Sequence, residues 1–388
     1  MLPSPLASPG SANTVPDRPD ADTGTPALAP RAIERLHRIH GDLRTGLPVI
    51  LQDGVEATLL ALVERLTDAR YAAMAALGQP ELVLTRRRAE ALGALPPIPG
   101  DTLRLRVPPG ADLAWLTAVA GQAGRGSPAA GTSLPILQAG GAPHRAAIEI
   151  AKAMQAVPAV LSVPLAGRDD GGTAGLGLST IPLSLVAEAM AEVRSQTRVS
   201  SARLPMDASS AGRVHVFRPD DGGAEHYAIE IGTPDLSGPV TVRLHSACFT
   251  GDVLGSLKCD CGPQLRAAMA TMAEGDGGVL LYLNQEGRGI GLANKMRAYA
   301  LQETGMDTVE ANHWLGFEDD QRDFRVGAQI LRRMGIGQVR LMTNNPAKTA
   351  SLAAQGIAVV ESVPLRVGRT VQNAHYLATK AAKSGHLL

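Results

Sequence analysis

Gly278-Val279-Leu280-Leu281-Tyr282-Leu283-Asn284-Gln285-Glu286-Gly287-Arg288-Gly289-Ile290-Gly291-Leu292 runs from an apolar strand through a glycine-rich turn into a helix. The uninterrupted apolar run 278–283 is what a strand buried on both faces requires. The amphipathic stretch Ile290–Glu303 follows it with helical spacing. A strand delivered into a helix across a tight turn is the building unit of α/β proteins. Glycines let the backbone approach a ligand closely, and the N–H groups of a helix start favour anions. The spacing is nevertheless neither G-x-G-x-x-G nor a P-loop, so by itself the segment fits a phosphate loop or an ordinary strand–helix turn.

Working outward, strands are predicted over Val214–Arg218, Tyr227–Gly232 and Pro239–Leu244, then a helix over Leu265–Glu274. Downstream, helices over Phe324–Met334 and Ala347–Gln355 alternate with strands over Val339–Thr343 and Val359–Val363, and a closing helix covers Asn373–Lys383. Towards the N-terminus the periodicity predicts helices over Arg31–Leu43, Val55–Leu66, Arg70–Ala76, Pro143–Ala156 and Leu183–Ser195. Strands are predicted over Leu47–Leu51, Asp101–Val107 and Ala159–Pro164, with a Gly-rich loop over 167–175. The fold class is therefore α/β, mixed α+β, in two domains. The first covers 31–195, and the Ser- and Ala-rich stretch 196–212 serves as linker. The second covers 199–388, its start overlapping that linker.

The chain's 388 residues suffice for two such domains. Its 37 basic and 37 acidic residues balance, so no global field advertises nucleic acid or an anionic membrane. Aromatics are 3% of the chain, which argues against a stacking surface for single strands. No apolar run approaches the roughly 18 residues that span a bilayer. Residues 1–30, rich in Pro, Ala, Ser and Asp, read as a disordered tail without the basic start and apolar core of a secretory signal. Three cysteines, an odd number, suit a reducing compartment better than a disulfide framework, so a cytoplasmic location is expected.

Those cysteines lie within fourteen residues as C-x10-C-x-C: Cys248, Cys259 and Cys261. Three buried thiols could simply pack as small hydrophobes. Their concentration in one polar, Gly-bearing segment points instead to a metal. Three thiolates are one ligand short of a closed structural zinc site, and a catalytic zinc keeps its fourth position for water, whose pKa it lowers towards neutrality. Thr343-Asn344-Asn345-Pro346-Ala347-Lys348 offers Asn345 as N-cap and Pro346 as first helical residue. There Lys348 is either a solvated lysine or the partner of an anion at the helix start. Glu318-Asp319-Asp320-Gln321-Arg322-Asp323 reads on its own as an exposed turn capping the next helix.

Taken in order, these pieces resemble the GTP cyclohydrolase II family of riboflavin biosynthesis, from about Leu204 to the C-terminus. The resemblance runs through Arg243-Leu244-His245-Ser246, Cys248-Phe249-Thr250-Gly251-Asp252, Cys259-Asp260-Cys261-Gly262 and the Gln285–Leu292 loop. It continues through Lys295–Gln302 and Asp307–Asn312 to the ending Tyr376-Leu377, Thr379-Lys380 and Gly385-His386-Leu387-Leu388. It implies that formate leaves C8 of GTP, that pyrophosphate is released, and that a diaminopyrimidine ribosylamino phosphate remains. It implies zinc on Cys248, Cys259 and Cys261, and GTP contacts at Arg243, Gln264, Glu286, Gly287, Arg288, Thr308, Thr343 and Lys348. Mg²⁺ would accompany the polyphosphate. The resemblance also places an active-site tyrosine at Tyr299, a proton acceptor at Asp320 and a nucleophile towards the α-phosphate at Arg322. A guanidinium with a pKa above about 12 is a poor nucleophile, and a cation stabilising phosphoryl charge fits Arg322 equally well. A homodimer is implied too. Two departures stand out: Ala247 where the family commonly has Glu, and Leu283-Asn284 where a basic residue is common. They keep open a paralogue in another nucleotide pathway, such as pyrimidine degradation, or a non-catalytic nucleotide-binding regulator.

Residues 31–195 resemble a degenerate dihydroxybutanone phosphate synthase domain, through Leu43–Leu51 and Pro143–Glu149. The acidic Mg²⁺ loop expected after the first strand is replaced by Asp53-Gly54-Val55-Glu56-Ala57-Thr58, and Ala146 stands where a glutamate is expected. Without clustered carboxylates this half is expected to be catalytically silent, with a role in dimerisation or regulation.

Overall fold

The computed structural model describes residues 28–93, 99–122, 137–165, 175–192 and 194–374. The expected tail up to residue 27, most of the Gly-rich loop at 167–175, and the terminal motif beyond 374 with most of its helix lie outside the described residues. Both sheets belong to one compact unit that begins at Ala32.

The first sheet has seven strands: β1 (Val49–Asp53), β2 (Glu56–Leu62), β3 (Glu81–Thr85), β4 (Thr102–Arg106), β5 (Leu137–Ala139), β6 (Ala159–Pro164) and β7 (Thr180–Pro182), in the order β5-β4-β3-β6-β2-β1-β7. Its pairings are antiparallel except β1 with β7. Alternation sends Val49 and Leu51 to one face and Ile50 to the other. On the first face α1 (Ala32–Arg44), α5 (Ala142–Ala153) and α6 (Leu183–Ala191) bury Leu36, Ile39, Ile148 and Val186. On the second, α2 (Asp68–Ala75) and α4 (Leu113–Ala120) bury Met74, Leu116 and Val119. Between β3 and β4 lies α3 (Arg86–Ala91).

The helix expected over Val55–Leu66 is instead strand β2 followed by a short 3-10 turn, Val63–Arg65. Glu56-Ala57-Thr58-Leu59-Leu60-Ala61-Leu62 is rich in helix formers, but the tight turn at Gly54-Val55 closes a hairpin in which Asp53 pairs with Glu56. Burial between β1 and β6 then overrides propensity.

The second sheet comprises β8 (Gln196–Arg203), β9 (Gly212–Pro219), β10 (His226–Ile231), β11 (Val240–Ser246), β12 (Gly278–Leu283), β13 (Gln338–Met342) and β14 (Ala358–Val363), in the order β14-β13-β11-β12-β10-β9-β8. The segment expected to be a linker, 196–212, is largely an edge strand, β8, paired antiparallel with β9. Beyond Gln196 and Thr197 its residues are exposed, so its Ser and Arg side chains face solvent and leave no apolar signature. Strands β14, β13, β11 and β12 are mutually parallel. Helices cover both faces: α11 (Arg325–Arg333) and α12 (Pro346–Ala354) bury Ile330 and Leu352 on one, and α8 (Cys261–Glu274) buries Ala268 and Met272 on the other. A helix pair, α9 (Gly291–Glu303) and α10 (Thr308–Trp314), packs through Ala298, Leu301, Ala311 and Leu315. The whole is a mixed α/β protein with two sheets. Among the described residues no helix is long and apolar enough to cross a membrane.

Candidate active site

Parallel strands end together, and loops at their carboxyl ends form a shared crevice. Here β11 ends at Ser246, β12 at Leu283 and β13 at Met342. The segments that follow carry Cys248, the 284–292 loop and Thr343-Asn344-Asn345. With α8, α9 and α10 they enclose a cleft of about 1060 Å³ counted to its open mouth.

The three cysteines meet on one wall, with their sulfurs all within 4.8 Å of one another. Cys248 follows β11, while Cys259 and Cys261 flank Asp260, the N-cap of α8, and a one-turn helix α7 (Phe249–Asp252) lies between the two arms. Among the described residues they are the one group of His, Cys, Asp and Glu side chains placed to share a metal. Cys248 Sγ and Cys259 Sγ are 3.7 Å apart. Tetrahedral zinc–sulfur bonds of about 2.3 Å place sulfurs roughly 3.8 Å apart, so the donor set fits zinc in type and spacing. Hydrogen bonds from Cys259 and Cys261, then the Lys295 ammonium, push the Cys248 thiol far down, while the proximity of Cys248 pushes Cys259 and Cys261 up. Three thiolates this close need a cation to share.

The sequence pointed to no role for His245, Thr250, Asp252, Tyr282 or Lys295, which pack around that wall. Asp252, one helical turn after Cys248, accepts from Cys248 N (3.0 Å) and from the Tyr282 hydroxyl (3.0 Å), and lies 3.1 Å from His245 Nε2. Lys295 Nζ donates to Cys248 Sγ (3.1 Å), Thr250 Oγ1 (2.9 Å) and Glu286 Oε1 (2.9 Å). Burial opposes its charge, but Tyr299, Cys248 and Glu286 outweigh that and hold the ammonium protonated. The signal for Lys295 was present: Lys295, Tyr299 and Gln302 stand at i, i+4 and i+7 on α9, one face of a helix, and all three line the cleft.

Of the residues predicted to bind GTP, all eight line the cleft. Arg243 on β11 donates to Met342 O (2.9 Å) and to Gln264 Oε1, and burial lowers its pKa to about 10. Lys348 is buried rather than solvated, in the first turn of α12, and donates to Leu244 O (2.7 Å). Asn345 caps that helix with Pro346 in its first turn, as expected. Thr343 Oγ1 accepts from Asn345 N, and Thr308 opens α10 behind an Asp307–Glu310 capping box. Glu286 ties the loops together: Oε2 accepts from Phe249 N (2.6 Å) and Oε1 from Gly287 N (2.9 Å). Gly287 and Arg288 both adopt left-handed backbone, φ 62° and 61°. For Arg288 that conformation is strained, a state that persists only where the surroundings enforce it.

Tyr299 and Arg322 also line the cleft, whereas Asp320 does not and sits behind Arg322. The Asp320 carboxylate accepts from Arg322 Nε (2.8 Å) and NH2 (2.5 Å), and Arg322 NH1 reaches Ser246 Oγ (3.3 Å). Burial raises the Asp320 pKa, but Arg322 outweighs it and the net displacement is downward. Asp323 accepts from Arg325 N (2.9 Å), while Phe324 is the N-cap of α11 and carries no side-chain cap bond. Ala247 lines the cleft, while Asn284 donates its main-chain N–H to His226 Nδ1 (3.0 Å) and its side chain to Glu225 O. In the N-terminal half His144 Nδ1 accepts from Gly141 N (3.0 Å), a cap on α5.

Residues 197–364 match the family model described as GTP cyclohydrolase II. The GTP cyclohydrolase-2 of Cronobacter sakazakii is 58% identical over 168 residues, 43% of this chain and 84% of that protein. That of Salmonella typhimurium is 53% identical over 193 residues, 49% of this chain and 97% of that protein. The GTP cyclohydrolase-2 of Azospirillum brasilense is 47% identical over 253 residues; the match spans 64% of this chain and 65% of that protein. A solved two-domain 3,4-dihydroxy-2-butanone 4-phosphate synthase from A. baumannii aligns over 86% of this chain and 100% of that chain at 18% identity with a TM-score of 0.33.

Proposed function

This chain belongs to the GTP cyclohydrolase II family, and on that premise we propose that its cleft hydrolyses GTP, releasing formate from C8 and pyrophosphate from the triphosphate, as the first step of riboflavin biosynthesis. The carrying observation is that three convergent thiols share one cleft with Arg243, Arg288, Arg322 and Lys348. Cys248, Cys259 and Cys261 would hold zinc, which when bound supplies Lewis-acid activation of water beside the purine ring.

The chain's own residues account for the rest. Lys295 offsets the charge of the Cys248 sulfur by donating to it, and Asp252 orients the Cys248 main chain. Arg243, Arg288 and Lys348 bind phosphate oxygens as charge-assisted donors, with Mg²⁺ accompanying the polyphosphate. Gln264, Glu286, Gly287, Thr308 and Thr343 complete the nucleotide-binding wall. Tyr299 presents a phenol that orients water or donates to developing negative charge. A carboxylate held at low pKa is a weak base, so Asp320 suits fixing the Arg322 fork better than accepting a proton. Arg322 stabilises charge on the transferring phosphoryl group. The N-terminal half is catalytically silent in this reading, consistent with the use of His144 as a helix cap. The reading extends, by resemblance, to a cytoplasmic homodimer.

The test is a GTP assay on zinc-loaded protein with Mg²⁺, following formate and pyrophosphate together, beside Cys259→Ser. Both products from the wild type and no formate from the variant are expected. A zinc-loaded wild type that turns over no GTP would refute the proposal.

A further inference from the structure

The N-terminal half touches the two elements that carry Lys295, Tyr299 and Arg322. At the start of α9, Asn294 is fully buried and its Nδ2 donates to Gln155 O (2.7 Å), just beyond α5. Gln155 is itself held at φ 56°, and a Cβ on Gly291 would stand 2.8 Å from its Oε1. One turn on, Arg297 NH1 donates to Glu64 Oε2 (3.1 Å). At the end of α10, Arg88 donates to Trp314 O (2.9 Å) and lies over the Trp314 ring, and Thr85 Oγ1 donates to Gly316 O (2.8 Å). A Cβ on Gly316 would stand 2.9 Å from that Thr85 oxygen.

Beyond Gly316 the chain enters the segment that ends in Arg322. Lys152, in the last turn of α5, donates to Glu318 Oε1 (2.7 Å) and to Glu149 Oε1 (3.0 Å). Glu318 Oε2 in turn accepts from Gln321 Nε2. Gln321 N donates to Arg288 O (2.9 Å), and Arg288 NH1 reaches Asp319 O (3.3 Å). An unbroken chain of polar contacts thus links Lys152 to both the strained Arg288 and the residue preceding Arg322. None of these contacts holds α5 to its own sheet.

We propose that the N-terminal half is a positioning domain for the cleft, with Lys152, through Glu318 and Gln321, a positioning residue for Arg288 and Arg322. The inference rests on the GTP-hydrolase reading for its kinetic consequence but not for its structural one. A displacement of about 1 Å in a residue contacting the reacting group costs up to roughly a hundredfold in rate, and relayed contacts typically carry less.

The experiment uses the full zinc-loaded chain as wild type, Lys152→Ala, Lys152→Arg, Glu318→Gln and the Lys152→Ala/Glu318→Gln double variant. Amide hydrogen exchange over 316–323 is read first, without nucleotide. Expected is faster exchange at Gln321 by about tenfold in Lys152→Ala and Glu318→Gln, with Lys152→Arg close to wild type. Formate release is read second. Expected is a kcat lowered on the order of tenfold in both single variants, no further loss in the double variant, and recovery in Lys152→Arg. Unchanged exchange in both single variants overturns the inference whatever the activity. So do losses that multiply in the double variant, because independent sites add in free energy. An inactive wild type with the expected exchange pattern overturns the GTP-hydrolase reading and leaves the positioning contact supported.

Discussion

Gly251→Ala sets two effects of opposite sign against each other inside the metal wall. Gly251 lies in the one-turn helix Phe249–Asp252, where alanine is favoured over glycine by up to about 1 kcal/mol. A Cβ there, however, would stand 2.8 Å from Cys259 Sγ, 3.0 Å from Cys261 Cβ and 3.1 Å from Cys248 Sγ. Ordinary contact needs roughly 3.5–4.0 Å, so the Cys259 sulfur must retreat by about 0.7–1.2 Å. Metal–ligand distances tolerate only about 0.2 Å. Zinc bound by four protein ligands is worth about 10–16 kcal/mol, so disabling one ligand forfeits roughly 2.5–4 kcal/mol, about two to three orders of magnitude in affinity. Steric exclusion wins over propensity. The expected result is a zinc dissociation constant, by competition with a chelating dye, raised at least about a hundredfold, with formate release lost in proportion. Metal-free wild type and variant should melt within a few degrees of each other, since without zinc the sulfur can move aside. Full zinc loading with an affinity within threefold of wild type would refute the steric argument and show that the sulfur wall is compliant.

Lys348→Met should raise the KM for GTP by about ten- to a hundredfold, the range of a lost charge-assisted hydrogen bond, while leaving ligand-free stability unchanged or higher, because a buried ammonium is itself unfavourable. A variant destabilised in urea with an unchanged KM would assign Lys348 to the fold instead. Thr85→Val removes the bond to Gly316 O and the cap accepting from Arg88 N, and should lower unfolding free energy by about 2 kcal/mol in urea titrations; a change under about 0.5 kcal/mol would rule the contact unimportant. Burial is the largest cause of lowered pKa at His40 and His226, each to about 4 from an ordinary 6.5. Between those values the unfolded chain binds protons the folded one refuses, so stability falls as pH drops from 7 to 5, by at most about 2 kcal/mol per histidine. His226→Gln should remove part of that dependence, and equal urea midpoints at pH 7 and pH 5 in the wild type would contradict it.

What could be read from the chain follows the physics of burial. Strands β6 and β12 were legible to the residue because a strand covered on both faces is a nearly continuous apolar run with abrupt ends, broken in β6 only by Ser162. Strand β8 was not, because its exposed edge tolerates Arg and Ser. Strand β3, Glu81–Thr85, shows neither alternation nor more than three consecutive apolar residues, and β2 is composed of helix formers that only its neighbours force into a strand. The cysteine wall was legible because its ligands lie in one short segment and their spacing is local. The proposed nucleotide wall was open only to resemblance: Arg243, Arg288, Thr308 and Lys348 come from four separate elements. Contacts such as Lys152 with Glu318, 166 residues apart, leave no local trace at all.

The way the cleft holds its cations bears on the proposed binding of a polyphosphate. Parallel strands ending together present main-chain carbonyls at one rim, and Arg243 and Lys348 donate to two of them, Met342 O and Leu244 O. A carbonyl oxygen fixes the direction of a cationic side chain without itself carrying a full opposite charge, although Asp260 also acts on Arg243. Arg322 is held differently, by the Asp320 carboxylate, which neutralises it towards solvent while NH1 is directed to Ser246 at the end of β11. The two modes suit different tasks. In the proposed reading carbonyl-held cations would supply binding free energy for phosphates, whereas a carboxylate-held fork trades attraction for a fixed geometry. Substitutions at Arg243 or Lys348 should therefore act mainly on KM, and Asp320→Asn, which frees the fork without removing its charge, mainly on kcat.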